Sequence, residues 1–129
     1  MIFDTSFLID LMNKDPSAVL KSNSLEKNNA PCFATSISIF ELVQGIVKCQ
    51  KPEHEKQKIL EIFASLSILS FDQDSALVAG EIHGLLSKQG IPIDAEDSMI
   101  AGIAKRYTQP ILTRDKHFRR IKDITIETY

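Results

Sequence analysis

Asp4 ends an apolar run and Glu41 lies one turn into a helix that follows the second such run, while Asp97 opens a small-residue helix and Asp115 stands two residues past the fourth run. Carboxylates brought within a few ångströms of one another repel by about 3 kcal/mol per pair at about 5 Å and an effective dielectric near 20. A cluster of them must bind cations or hold protons. Carboxylate oxygens and waters suit Mg²⁺ or Mn²⁺. A hydrated divalent ion held by acids orients a water, lowers its pKa and neutralises a phosphodiester during in-line attack, which is nuclease chemistry. Zinc wants a different donor set. His54, His83 and His117 are scattered and read as surface or local hydrogen-bonding residues, and Cys32 and Cys49 lack CxxC spacing and read as buried, reduced thiols. Asp4 taken alone has a second reading, because a short carboxylate at a strand-to-helix junction can cap the helix.

The elements that must position these acids follow from periodicity. Met1 to Phe3 reads as a strand, and Phe7, Leu8, Leu11 and Met12 recur at helical spacing after it. Asp15 and Pro16 start a second helix that ends at the Asn28-Asn29 turn. Cys32 to Thr35 reads as a strand, with Ser36 or Ser38 as the cap of a helix carrying Ile39, Leu42, Val43, Ile46 and Val47. Pro52 opens another helix with Ile59, Leu60, Ile62 and Phe63 on its apolar face. Ser67 to Phe71 gives a third strand, Asp72 or Asp74 caps the next helix, and Gly90 stops it. Asp94 is read as the cap of the helix holding Asp97, where Ala101, Gly102 and Ala104 allow close packing against the sheet. Pro110 to Thr113 and Ile124 to Glu127 supply a fourth strand and an edge strand.

Strands alternating with helices predict an α/β fold, a parallel sheet covered on both faces, in one domain spanning residues 1–129. Right-handed crossovers put every strand's C-terminal end on one edge, where ligands bind in such sheets. That edge gathers Asp4, Glu41, Asp97 and Asp115. Asp10, further along the first helix, is read as solvent-facing with no claim on the site, and Glu96 as pointing away from it.

The net charge of −2 hides an uneven distribution. Between Lys105 and Lys122 there are seven basic residues and one acid, so this segment carries +6 and the rest −8. A local basic stretch on an acidic chain suits a polyanion such as nucleic acid, or an acidic protein partner. No stretch of 18 apolar residues and no signal-peptide pattern is present, so a soluble, cytoplasmic protein without a membrane partner is expected.

Four blocks in order, IFDTSFLID, SISIFELVQG, IDAEDSMIAGIA and ILTRDKHFRRI, give the chain a resemblance to the PIN-domain ribonucleases and most closely to the small VapC-like toxins of toxin–antitoxin pairs. The resemblance covers essentially the whole length. It implies a PIN-like three-layer fold with about five parallel strands and helices on both faces. It also implies Mg²⁺- or Mn²⁺-dependent endoribonuclease activity and a cognate antitoxin. Matched position by position, the family's four acids fall on Asp4, Glu41, Asp97 and Asp115, with Asp94 a competitor for the third. The resemblance implies that Asp4, Asp97 and Asp115 hold one or two ions, that Glu41 completes the shell or orients the attacking water, and that Thr5, Ser6 and Thr113 aim the carboxylates. Arg114, Lys116, Arg119 and Arg120 are expected on RNA phosphates, some of them on the antitoxin instead. A homodimer is expected as well, since the apolar faces at Phe40–Val47 and Ile59–Leu66 exceed what a small sheet buries.

Other classes fit less well. A phospho-acceptor domain needs a central acceptor Asp and a late strand-end Lys, a haloacid-dehalogenase-like phosphatase wants an Asp where Ser6 stands, and a dinucleotide-binding module wants glycines absent from DTSFLID. An RNA-processing PIN nuclease without an antitoxin, and a non-catalytic PIN-like RNA-binding or assembly subunit, share every feature above.

Overall fold

The computed structural model describes residues 1–129. In chain order the elements are β1 (Ile2–Phe3), α1 (Thr5–Met12), α2 (Pro16–Lys27), β2 (Phe33–Thr35), α3 (Ser36–Ile46), α4 (Pro52–Ala64), β3 (Ser67–Leu69), α5 (Gln73–Lys88), α6 (Ala95–Tyr107), β4 (Ile111–Leu112), a 3₁₀ helix (Lys116–Arg120) and β5 (Ile126–Glu127). The strands form one sheet in the order β3-β2-β1-β4-β5, and every pairing is parallel. The expected five-stranded, fully parallel arrangement is what forms, with β5 at an edge.

The strands are shorter than their apolar runs because the helices begin at once. Thr35 both closes β2 and caps α3, its hydroxyl oxygen accepting from Ser38 N at 3.1 Å. Asp15 and Asp72 cap α2 and α5 in the same way, accepting from Ala18 N at 3.0 Å and Ser75 N at 2.8 Å. Gly90 ends α5 at φ +71°, where its own N–H reaches Ser87 O and that of Ile91 reaches Leu86 O, closing the orphan carbonyls of the last turn.

Alternation along β1 and β4 separates two cores. Ile2 and Ile111 face Ile82, Leu86, Ile100, Ile103 and Phe118, whereas Phe3 and Leu112 face Phe7, Leu8, Ala18, Leu42 and Ile59. Both faces of the central strands are thereby sealed, which is why those strands read as uninterrupted apolar runs. Several apolar residues stay outside: Phe40, Val47, Leu60 and Leu85 are exposed. Cys49 is exposed and Cys32 only half-buried, so the expectation of buried thiols fails, and both are unpaired.

Of the small residues in α6, Ala101 and Ala104 face the core as expected, but Gly102 faces α5 instead of the sheet. A Cβ there would stand 2.6 Å from Ala79 Cβ and 2.7 Å from Ser75 O, and backbone cannot move aside as a flexible side chain would. Gly102→Ala should therefore lower stability by about 1–3 kcal/mol, despite the roughly 1 kcal/mol of helix propensity that alanine adds. Thermal or urea unfolding of the variant measures this; an unchanged or raised midpoint would show that α5 and α6 can separate freely.

Candidate active site

Asp4 sits where β1 becomes α1, and its N–H continues the sheet ladder by donating to Leu112 O at 3.1 Å. It occupies the N-cap position but its side chain makes no capping bond. Instead Oδ2 accepts from the Thr113 hydroxyl at 2.7 Å and the Ser6 hydroxyl at 2.9 Å. Both bonds land on one oxygen, which leaves Oδ1 without a hydroxyl partner. Thr113, fully buried just past β4, also accepts from Asp115 N at 2.9 Å, so one hydroxyl couples two of the acids.

Glu41, on α3, accepts from the Thr5 hydroxyl at 2.8 Å. Thr5 Oγ1 has a single proton, and it lies 3.0 Å from Ser38 Oγ as well. With its proton on the carboxylate, it serves Ser38 as acceptor, and a chain of hydroxyls runs back through Ser38 to Thr35. Asp97, in the first turn of α6, is only 8% exposed.

The electrostatics are those of crowded, half-dry carboxylates. Burial, opposed by the Thr113 and Ser6 hydroxyls, holds the Asp4 carboxyl above its ordinary range. Burial likewise raises Glu41, with the Thr5 hydrogen bond opposing and the charges of Asp4, Glu96 and Asp94 adding to the rise. Asp97 is pushed up to about 7, first by burial and then by Asp4, Asp115, Glu41 and Asp94. One oxygen each of Asp97 and Asp115 and one ring nitrogen of His117 all lie within 4.8 Å of one another. His117 Nδ1 is 3.1 Å from Asp115 Oδ1, which also accepts the His117 N–H at 2.8 Å and so caps the 3₁₀ helix. Octahedral ligands at about 2.1 Å from an ion are about 3 Å apart when adjacent, a spacing this donor set can meet.

The structure thus brings Asp4, Glu41, Asp97 and Asp115 to one sheet edge, with Thr5, Ser6 and Thr113 bonded among them. Asp94 precedes α6 as its N-cap residue without a side-chain capping bond, and it is exposed. Glu96 is half-buried and close enough to act on Glu41, contrary to the expectation that it points away. Among the basic residues, Lys116 and Arg119 are exposed, Arg120 donates to Pro92 O at 2.7 Å, and Arg114 pairs with Asp10 at 2.9 Å. Asp10 is a correction: it is 6% exposed, not solvent-facing, and accepts from the Tyr129 hydroxyl at 2.5 Å. Its position three residues after the core residue Phe7 placed it on the buried face of α1, a signal present in the sequence. His117 meets Asp115 two residues away, and Ser38 meets Thr35 three residues away, but the reach of Ser38 to Thr5 joins residues 33 apart and has no local signal.

Comparison with known proteins bears on what this edge is for. The family model described as PIN domain matches residues 1–124. The tRNA(fMet)-specific endonuclease VapC of Shigella flexneri is 28% identical over 129 residues, covering 99% of this chain and 96% of the relative. Ribonuclease VapC1 of Methanocaldococcus jannaschii is 30% identical, covering 100% of this chain and 86% of its own. Among solved structures, VapBC2 from Rickettsia felis, bound to a DNA fragment from their promoter, superposes with a TM-score of 0.90 at 28% identity over 100% of this chain and 99% of that one. With its sheet order, its edge of acids and these likenesses in agreement, the chain belongs to the PIN domain family, and its relatives are VapC ribonucleases.

Proposed function

We propose that this chain is a divalent-metal-dependent endoribonuclease that hydrolyses RNA phosphodiesters, the toxin of a VapBC-type pair held in check by an antitoxin protein. The observation that carries the reading is the convergence of Asp4, Asp97 and Asp115, with Glu41 beside them, on one sheet edge where burial and then mutual repulsion push the Asp97 carboxyl up to about 7. A cluster of that kind fits a hard dication: the donors are carboxylate oxygens and one imidazole, and a positive charge relieves the repulsion. Asp4 through its hydroxyl-free oxygen, Asp97 and Asp115 would hold Mg²⁺ or Mn²⁺, with His117 at the rim. The ion supplies charge neutralisation at the scissile phosphate and acidifies an attacking water.

This chain's own side chains do the rest. Thr113 and Ser6 fix the Asp4 carboxylate so that its outward oxygen is presented in one direction. Thr5 aims Glu41, whose raised affinity for protons suits it to orient a water and take a proton from it. Lys116 and Arg119, exposed on the 3₁₀ helix beside Asp115, attract the RNA backbone. The antitoxin reading rests on the VapBC structure that superposes on the whole chain, and homodimerisation on the exposed Phe40, Val47 and Leu60. The Shigella relative is named for tRNA(fMet), which makes initiator tRNA the first substrate to assay.

Asp4→Asn should retain the far-ultraviolet circular dichroism of the parent and lose Mg²⁺- or Mn²⁺-dependent RNA cleavage by about 100-fold or more, since removing even an outer partner of a metal ligand costs about 10–100-fold. Full cleavage by the folded variant would remove Asp4 from the site. Asp97 gives two further expectations. Its carboxyl titrates near 7 in the fold against about 3.9 in the unfolded chain, so the native state binds more protons between those values. Its ionisation accordingly destabilises the metal-free fold progressively as pH rises from about 4 through 7. Asp97→Asn should raise the metal-free melting temperature at pH 8 while abolishing cleavage, the signature of a residue kept for function against stability. In the parent protein, Mn²⁺ affinity followed by calorimetry should strengthen between pH 6 and 8 as Asp97 gives up its proton; a flat profile would mean that Asp97 does not bind the ion.

A further inference from the structure

Asp10 lies outside the carboxylate cluster, yet it is as buried as Asp4 and Asp97 within it. Its Oδ2 receives Arg114 Nη1 at 2.9 Å and the Tyr129 hydroxyl at 2.5 Å. Tyr129 is itself held edge-on against Phe7, ring centroids 4.7 Å apart, so the acceptor, the phenol and the helix turn that carries them form one packed unit. Arg114 enters this unit from a telling place in the chain. It stands between Thr113, which bonds Asp4, and Asp115, whose N–H bonds Thr113. Past the end of β4 the chain bends at Arg114, and the Asp115 N–H closes onto the Thr113 hydroxyl. Thr113 and Asp115 turn to the acids, and Arg114 turns to α1.

We propose that Arg114 is a positioning residue: pinned by Asp10 and Tyr129, it holds the Thr113–Asp115 turn against α1 and so fixes the geometry of the metal ligands, and it is not an RNA phosphate contact. The inference rests on the reading that Asp4, Asp97 and Asp115 bind a divalent ion. Its physical basis is that the turn is tied to one face of α1 at two points a helical turn apart. At the first, Ser6 and Thr113 share Asp4 Oδ2. At the second, four residues on from Ser6, Asp10 takes Arg114. The carboxylates repel one another before an ion enters, and the Asp10–Arg114 tie opposes displacement of the turn with an attraction of full charges. Were Arg114 to swing onto a phosphate, it would strand a buried carboxylate with a phenol as its remaining partner, which is disfavoured. The side chain is 59% exposed, so exposure by itself does not prevent that swing; the ion pair does.

The two roles predict different measurements on the full chain. Mn²⁺ binding without RNA is followed by calorimetry, and binding of a single-stranded RNA oligonucleotide without divalent ions is followed as a function of salt. In the positioning role, Arg114→Gln weakens Mn²⁺ binding about 10-fold and leaves the slope of log affinity against log salt unchanged. Arg114→Lys, which keeps a charge for Asp10, restores most of the Mn²⁺ affinity. Asp10→Asn loses Mn²⁺ affinity to the same extent, and the double variant Asp10→Asn/Arg114→Gln loses no more than either single one, the mark of two residues acting through one contact. Tyr129→Phe, which keeps the ring against Phe7, gives a smaller loss in the same direction and carries the test with Arg114→Gln if Asp10→Asn does not fold. Arg119→Ala serves as the comparator for a phosphate contact and lowers the salt slope by about 0.7. Parental Mn²⁺ affinity in Arg114→Gln overturns the inference whatever the slope does, and a slope lowered by about 0.7 in that variant assigns Arg114 to the RNA instead. A parent protein that binds no Mn²⁺ overturns the metal reading along with it, so the two failures are distinguishable.

Discussion

The structure depends on keeping several carboxylates close together on the drying edge of a sheet. Such a cluster is self-repelling, and burial worsens the repulsion by removing the water that would screen it. Asp4 shows how the fold accommodates this. It is all but buried at the end of the central strand, and two hydroxyls on elements far apart in sequence are bonded to a single one of its oxygens. Hydroxyls stabilise the charged form without bringing a cation to the site. Asp97, with no hydroxyl or backbone donor on its side chain, bears the full burden and is the acid forced up to about 7.

What makes this tolerable is the double core beneath it. β1 lies at the centre of the sheet with β2 and β4 on either side, and its two residues project into different cores. The apolar burial on both faces holds rigid the ends from which Asp4 and Thr113 emerge. Large fully buried side chains such as Phe7, Ile100, Ile111 and Phe118 lie within a few residues of the acids, in α1, α6, β4 and the 3₁₀ helix respectively. Each functional side chain is thereby carried on an element whose own position is set by packing, and the electrostatic cost at the edge is offset by stabilisation a few ångströms below it.

Much of this was legible in the sequence because it is local. Apolar runs ending in Asp4, Thr35 and Thr113, cap residues at Asp15 and Asp72, and the glycine stop at Gly90 all act over a few residues, and a parallel sheet then gathers the strand ends without further information. The misreadings share a different origin. Asp10 reads as a solvent-facing charge, although its spacing from Phe7 sets it on the buried face of α1, because the partners that satisfy it there, Arg114 and Tyr129, are about a hundred residues further along the chain. Gly102 reads as a residue packed on the sheet, whereas its tight contact is with Ala79 and Ser75 on α5. His117, read as a surface or local hydrogen-bonding residue, is exposed and meets Asp115 two residues away, so that local reading holds. Periodicity tells which face of an element is apolar; it does not tell which polar group another element will bring to meet it.

The same distinction governs the basic segment, whose charge of +6 invites a picture of one continuous cationic surface. The fold divides it. Arg106 lies over the Tyr107 ring and reaches Asp72 and Asp74 at 3.9 and 3.4 Å, Arg114 is paired with Asp10, and Arg120 is bonded to the Pro92 carbonyl. Three of the four arginines at the ends and middle of this segment therefore have structural partners, and the cations left beside the acidic edge are chiefly Lys116 and Arg119. Two exposed charges give a polyanion a direction of approach more than a deep hold. On the proposed endoribonuclease reading, selectivity would then come less from charge than from the shape of the RNA and from unpaired nucleotides able to reach the buried carboxylates.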